Sequence, residues 1–255
     1  TAGNKDATNH IVWCWKAGGD PVFNNDGSSN SLVSANKDAG FSIVAYKGTG
    51  ANATVGHGLS RQPEFIISKN RTGGDPKVYH IAADNGNSGD YQLYLNDAAA
   101  RADNATIWND KNPDSRVFHV GTGSGINQSD VQHIAYCWHS VEGFSKMGFF
   151  ESNASDDGPF VNLGFRPAWL MIKAPDYATN WAIHDNKRDP DNYTIGRINA
   201  NLAANENRSE LETTYGIDFL SNGFKIRADH VSTNRNGTWL YVAYAEAPTA
   251  FTNGR

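Results

Sequence analysis

The chain has 255 residues, a net charge of −5 and no run of basic residues, so it lacks the clustered Lys and Arg of a nucleic-acid-binding surface. No apolar stretch approaches the ~20 residues needed to span a bilayer, so membrane insertion is not expected either. Gly (25 residues) and Asn are abundant while charged residues make up only 19%; Gly and Asn tolerate left-handed turns, and this mix favours many short strands.

In chain order, the first element is a strand that recurs. Residues 10–15 read His-Ile-Val-Trp-Cys-Trp, residues 133–138 His-Ile-Ala-Tyr-Cys-Trp, and residues 241–246 Tyr-Val-Ala-Tyr-Ala-Glu. Alternation puts Val12/Cys14, Ala135/Cys137 and Ala243/Ala245 on one face and the large residues, such as Trp13/Trp15, Tyr136/Trp138 and Tyr244, on the other. Both cysteines are therefore expected to pack as small hydrophobes. The first copy is expected to occupy a sheet position equivalent to Ile134–Trp138. It stands alone, so the chain is expected to open with the last piece of a preceding repeat. It would then be either a fragment of a longer polypeptide or the owner of an N-terminal strand that completes a sheet. Residues 16–39, rich in Gly, Asn and Ser, show no strong periodicity and read as a linker or surface arm.

A longer unit then occurs twice. Gly40-Phe41-Ser42 opens one copy and Gly143-Phe144-Ser145 the other; Pro63 to Lys69 matches Pro167 to Lys173, Val78-Tyr79-His80 matches Ala182-Ile183-His184, and Val117 to Val120 matches Gly223 to Ile226. A polar turn containing Asn and the closing strand follow in both. Strands are expected at 41–46, 64–69, 77–81, 91–96, 116–120 and 132–138, then at 144–149, 168–173, 181–184, 194–199, 217–220, 223–227 and 238–245. Helix signals are weak; the best is at 96–102, echoed at 201–205. Short antiparallel strands at this spacing predict an all-β chain of two tandem, duplicated antiparallel β-sandwich (jelly-roll-like) modules with an extra N-terminal strand. The expected divisions are 1–39, a terminal strand of a preceding repeat plus linker arm; 40–142, the first sandwich repeat; and 143–255, the second.

Catalytic and metal patterns are sparse. Gly121-Thr122-Gly123-Ser124-Gly125 reads as a turn before a strand, not before a helix, so it offers no phosphate cradle. The eight His residues form no metal-ligand spacing; His80 and His184 share a repeat position and read as strand-end residues. The oxygen-rich loops 84–90 and 185–192 depart from the calcium-loop pattern, and Lys187 and Arg188 sit within the second, so polar turns are favoured. Glycosidases need two carboxylates at fixed separation; Glu64, Glu142 and Glu151 have no acidic counterparts in the other copy. Neither a catalytic residue, a metal site nor a cofactor is therefore assigned, and the chain is expected not to be an enzyme. Trp108, Tyr177 and Trp181 are the candidate binding residues, as aromatic platforms for a host glycan, although core packing competes for each Trp.

The second copy carries the more telling part of a resemblance. Val141 to Lys146, Asp157 to Val161 and Gly164 to Lys173, with Ile217 to Lys225 and Tyr241 to Pro248, resemble a repeat domain of bacteriophage tail-fibre-like and other virion surface proteins, of the type found in phages of marine bacteria. Gly40 to Val44 and Val55 to Leu59 carry the companion form in the first copy. The resemblance spans most of the chain and implies a structural or binding protein on the virion surface: a tail fibre, appendage or capsid decoration serving host attachment or particle stabilisation. Its expected partners are other virion proteins, copies of itself (a trimer foremost) and a host surface glycan. The alternative is a secreted bacterial carbohydrate-binding or adhesive module.

Overall fold

Alternating apolar residues and Gly/Asn turns produce nineteen short strands in a computed structural model, which describes residues 11–203, 207–208 and 215–248. The first half carries β1 (Val22–Asn24), β2 (Ser31–Asn36), β3 (Phe41–Lys47), β4 (Ala53–Gly56), β5 (Phe65–Asn70), β6 (Lys77–His80), β7 (Tyr91–Tyr94), β8 (Ala102–Asp103), α1 (Ala105–Trp108), β9 (Val117–Val120), α2 (Ser124–Asn127) and β10 (Gln132–Trp138). The second carries β11 (Ser145–Ser152), β12 (Phe160–Asn162), β13 (Pro167–Lys173), β14 (Ala182–Asp185), β15 (Gly196–Asn199), β16 (Asn207–Arg208), β17 (Ile217–Leu220), β18 (Gly223–Ile226) and β19 (Gly237–Ala245).

The chain is all-β, and every ladder between named strands is antiparallel. One large sheet has the order β1-β2-β3-β10-β5-β6-β7-β8 and the other β11-β19-β13-β14-β15-β16. The Gly-Phe-Ser strand, the closing strand, the Pro-led strand and the His-ended strand thus lie side by side in the same order in each. A small sheet faces each large one, β4-β9 in the first half and β12-β18-β17 in the second. Gly40 and Gly143 both adopt φ in the left-handed region, 63° and 69°, so the chain can turn into β3 and β11. A side chain at either position would be strained there.

The alternation then sorts the core into three layers of apolar side chains. Val44, Tyr46, Ile66, Tyr79, Ala135 and Cys137 pack under the small sheet of the first half with Val55, Phe118 and Val120. Leu170, Ile172, Trp239, Tyr241 and Ala243 do the same in the second half with Val161, Phe219, Phe224 and Ile226. The opposite faces of the two large sheets meet each other: Phe41, Phe65, Val78, Leu93 and Trp138 pack against Met147, Trp169, Met171, Trp181, Ile183, Leu240, Val242 and Tyr244. Each fully buried large side chain is worth roughly 1.5–3 kcal/mol, so this middle layer binds the halves into one four-sheet stack. Tandem modules joined only by a connection would leave these rings in water.

Several expectations are corrected. Residues 11–15 form no strand; they lie over the seam with Val12 77% exposed and pair with no sheet among the described residues. Both edges of β10, the closing strand they imitate, are taken by β3 and β5. The rings make the contact instead: Trp15 lies edge-on to Trp138, Trp169 and Tyr244 at 6.2, 5.8 and 5.6 Å, and Trp13 to Trp169 at 6.3 Å. Cys14 is consequently exposed, while Cys137 is buried opposite Ser42. Residues 16–39 are not a free linker, since β1 and β2 extend the first large sheet beyond β3. The helix expected at 96–102 is absent; residues 96–101 carry no helix or strand, Ala102 begins β8, and the helical turn begins at Ala105, capped by Asn104, whose side chain accepts from the Thr106 N–H at 3.1 Å. Of its echo, residues 201–203 form no helix and Ala204 and Asn205 lie outside the described residues, as does His10. The glycine-rich turn at 121–125 does lead into a single helical turn, α2. Gly121 is required there by closeness, because a Cβ would stand 2.4 Å from the Thr106 carbonyl oxygen.

Candidate functional site

A cleft of about 600 Å³ lies where strands of the second large sheet meet loops of the first half. Gln62 and Glu64 precede β5, residues 81–86 follow β6, and Asn112 follows α1; these form one wall. Met147, Phe149 and Glu151 alternate along β11 and so share one face, with Thr238 of β19 directly opposite Glu151; these form the other. Pro175 and Asp176, just past β13, close one end. Phe149 is 52% exposed, so its ring presents an apolar surface to the cleft.

The polar groups are held in place. The Glu64 carboxylate accepts from the Ser140 N–H at 2.8 Å and from the Ser140 hydroxyl. Glu151 accepts from the Thr238 hydroxyl at 2.8 Å. The Asn112 side-chain oxygen accepts from the Tyr79 hydroxyl and the Gly89 N–H, both at 3.0 Å. Arg101 pairs with Asp84 and with Asp176, each at 2.8 Å, donates to the Ala83 carbonyl, and lies over the Tyr91 ring at 4.3 Å. The Gly86 N–H, helped by Asn87 and Arg101, holds the Asp84 carboxyl below the usual carboxylate range. Four carboxylates, Glu64, Asp84, Glu151 and Asp176, thus line the cleft with one guanidinium, which Asp84 and Asp176 already pair.

The structure brings Glu64 and Glu151 to one cleft and leaves Glu142 outside it. It does not bring the aromatic candidates together. Trp108 and Trp181 are each 1% exposed and therefore core residues, with Trp108 edge-on to Tyr79 at 5.8 Å. Tyr177 packs on the second-half core, lies beneath the Arg235 guanidinium at 3.8 Å and donates to the Asn236 carbonyl at 3.3 Å. The oxygen-rich loops are closed on themselves: Asp84 accepts from the Gly86 and Asn87 N–H groups, and Asp185 pairs with Arg188 at 2.6 Å. No group of three metal-ligating side chains occurs among the described residues. Nor is any helix there long and apolar enough to cross a membrane.

His80 and His184 are both fully buried. The His80 Nε2–H donates to the Tyr241 carbonyl at 3.1 Å, across the seam, while its Nδ1 accepts from the Ala82 N–H. Burial lowers the pKa to about 4 for His80 and, with Arg197 and Arg188 nearby, to about 3 for His184. Lys173 is buried too, and donates to the carbonyls of Ala98 and Ala174 at 3.1 Å and of Tyr177 at 3.2 Å. Burial brings its pKa down to about 8. His80 and Lys173 thus join strands, loops and halves, and all three groups lie away from the cleft lining.

Fold and cleft define a class: an all-β chain of stacked antiparallel sheets with an acidic cleft between its halves. The chain belongs to the family described as a domain of unknown function (DUF7483), which matches residues 1–248. No curated protein and no solved structure matches it.

Proposed function

We propose that this chain is a structural and surface-binding component of a bacteriophage particle, acting without catalysis, in contact with other particle proteins and with copies of itself. The motif resemblance over residues 141–173 and 217–248 points to the particle. The observation that carries the mechanical part is the aromatic middle layer: it fuses the halves into one block whose loops and outer strand remain for contacts. Among the described residues that outer strand, β1, pairs only with β2, and Val22 and Phe23 are 65% and 64% exposed. An apolar strand edge of this kind is an assembly liability unless covered, which favours a homo-oligomer, a trimer foremost.

Mass spectrometry of purified virions tests the first part, since absence of the chain from the particle would defeat it. A solution mass equal to one chain would remove the oligomer. Turnover of capsular polysaccharide by the purified chain would overturn the non-catalytic assignment. The acidic cleft favours a second reading, a secreted bacterial carbohydrate-binding or adhesive module, which the same virion measurement separates from the first.

A further inference from the structure

We infer that the cleft between the two halves is a saccharide-binding site, selective for neutral or amino-bearing oligosaccharides over anionic ones. The inference deepens the surface-binding reading above and rests on it for its biological setting.

Size comes first: about 600 Å³ falls within the range of small-molecule sites. Chemistry comes next. A sugar ring presents hydroxyls around its rim and an apolar C–H face. Glu64 and Glu151 each have one oxygen held by a protein hydroxyl, which leaves the second oxygen of each to accept from ligand hydroxyls or an ammonium. Asn112 has its oxygen fixed by Tyr79 and Gly89, which orients its amide N–H groups as donors. Phe149, half exposed on β11 between Met147 and Glu151, supplies the flat apolar surface. An aromatic body beside polar groups is the combination that a C–H face and a hydroxyl rim require.

The sign of the cleft sets its selectivity. Arg101 is the one cation of the lining among the described residues, and Asp84 and Asp176 already engage it. A carboxylate or sulfate on the ligand would meet Glu64 and Glu151 with no free guanidinium to offset them. An amino group would be drawn in, because a cleft lined by one sign of charge focuses its field. The cleft is also assembled from both halves, so it exists only in the packed stack.

The test is titration calorimetry and saturation-transfer NMR on the full chain with four probes: maltohexaose, N-acetylglucosamine hexamer, glucosamine hexamer and polygalacturonate. Binding of at least one of the first three, with polygalacturonate weaker than each probe that binds, is the expected result. F149A and E151Q, both at exposed positions, are expected to weaken that binding by about tenfold or more, equivalent to about 1.4 kcal/mol, with unchanged melting temperatures. Absence of binding by all four at millimolar concentration, preference for polygalacturonate, or binding indifferent to both variants would each overturn the inference. A chain present on virions that binds none of these sugars fails this inference alone; a chain that binds them but is absent from virions fails the particle reading alone.

Discussion

The indole N–H of Trp181 donates to the carbonyl oxygen of Tyr94 at 2.7 Å, so the side chain immediately before β14 satisfies a backbone carbonyl of β7 across the seam between the two halves. The ring itself is fully buried among residues of both large sheets. Truncation therefore removes packing from both halves at once. W181A is expected to cost about 3–5 kcal/mol, and W181F, which keeps most of the ring and loses the donor, about 1–3 kcal/mol from the stranded carbonyl. Urea unfolding followed by circular dichroism checks both values. The seam also predicts one cooperative transition for the wild-type chain; two separated transitions would mean that the halves fold independently.

Asn127 and Asn234 predict a matched pair of losses. Asn127 accepts from the Thr49 N–H at 2.8 Å and donates to the carbonyls of Ala51 and Gly121 at 2.6 and 2.8 Å. Asn234 accepts from the Ser152 hydroxyl and the Asn153 N–H, and donates to the carbonyls of Ser155 and Ala228. Each buried amide thus ties the turn after β3 or β11, the matched Gly-Phe-Ser strands, to the segment before the closing strand. Replacement by Ala strands several buried polar groups, each costing about 1–3 kcal/mol, so N127A and N234A are each expected to destabilise by about 3 kcal/mol or more. Equal urea midpoints for the variants and the wild type would contradict this role.

That pair also marks what was legible in the sequence. The Asn before each closing strand was visible as part of a polar turn, as were the alternation of Ala135 and Cys137 against Tyr136 and Trp138 and the match of His80 to His184. Period-two patterns and repeats are local signals, and they placed the principal strands and their faces. They do not say what a large-ring face packs against, so the stacking of Trp138 and Phe65 against Trp169 and Tyr244 could not be read. Residues 10–15 misled for the same reason: a strand-like pattern does not guarantee a free sheet edge. The cleft escaped because Glu64 and Glu151 belong to different halves and occupy unmatched repeat positions. Comparing the copies discounts such residues, although packing brings them together.

The buried histidines give the stability a pH dependence. His80 and His184 remain neutral in the folded chain until pH falls to about 4 and about 3, while the unfolded chain protonates near the ordinary value of 6.5. Between those limits the unfolded state binds more protons, so stability present above pH 6.5 is lost as pH falls below it. Each fully displaced site contributes a slope of about 1.4 kcal/mol per pH unit. His57, His119 and His133, also lowered by burial, steepen the same limb. Urea midpoints at pH 7.5, 6.5, 5.5 and 5.0 are expected to fall progressively, and H80Q, which keeps a donor for the Tyr241 carbonyl, to flatten the curve. A midpoint constant across that range would show that these rings protonate without opening the fold.

The segment around Trp15 separates ring packing from strand pairing. Trp15 touches Trp138, Trp169 and Tyr244 edge-on, whereas Cys14 between the two indoles faces solvent. If the rings alone hold the segment, W15A is expected to cost about 2–3 kcal/mol, near the value of one aromatic side chain leaving a partly buried site, and C14S to stay within about 0.5 kcal/mol. An aromatic disulfide reagent is expected to label one thiol rapidly in the folded protein and the second only after denaturation, since Cys137 is enclosed and its pKa raised by burial. Amide exchange at residues 11–15 is expected to be fast, because no ladder engages their N–H groups, while residues 133–138 of β10, paired on both sides, exchange slowly. Strong protection at 11–15 would instead mean that the segment pairs with a strand, and the sheet equivalence expected from its sequence would then be restored.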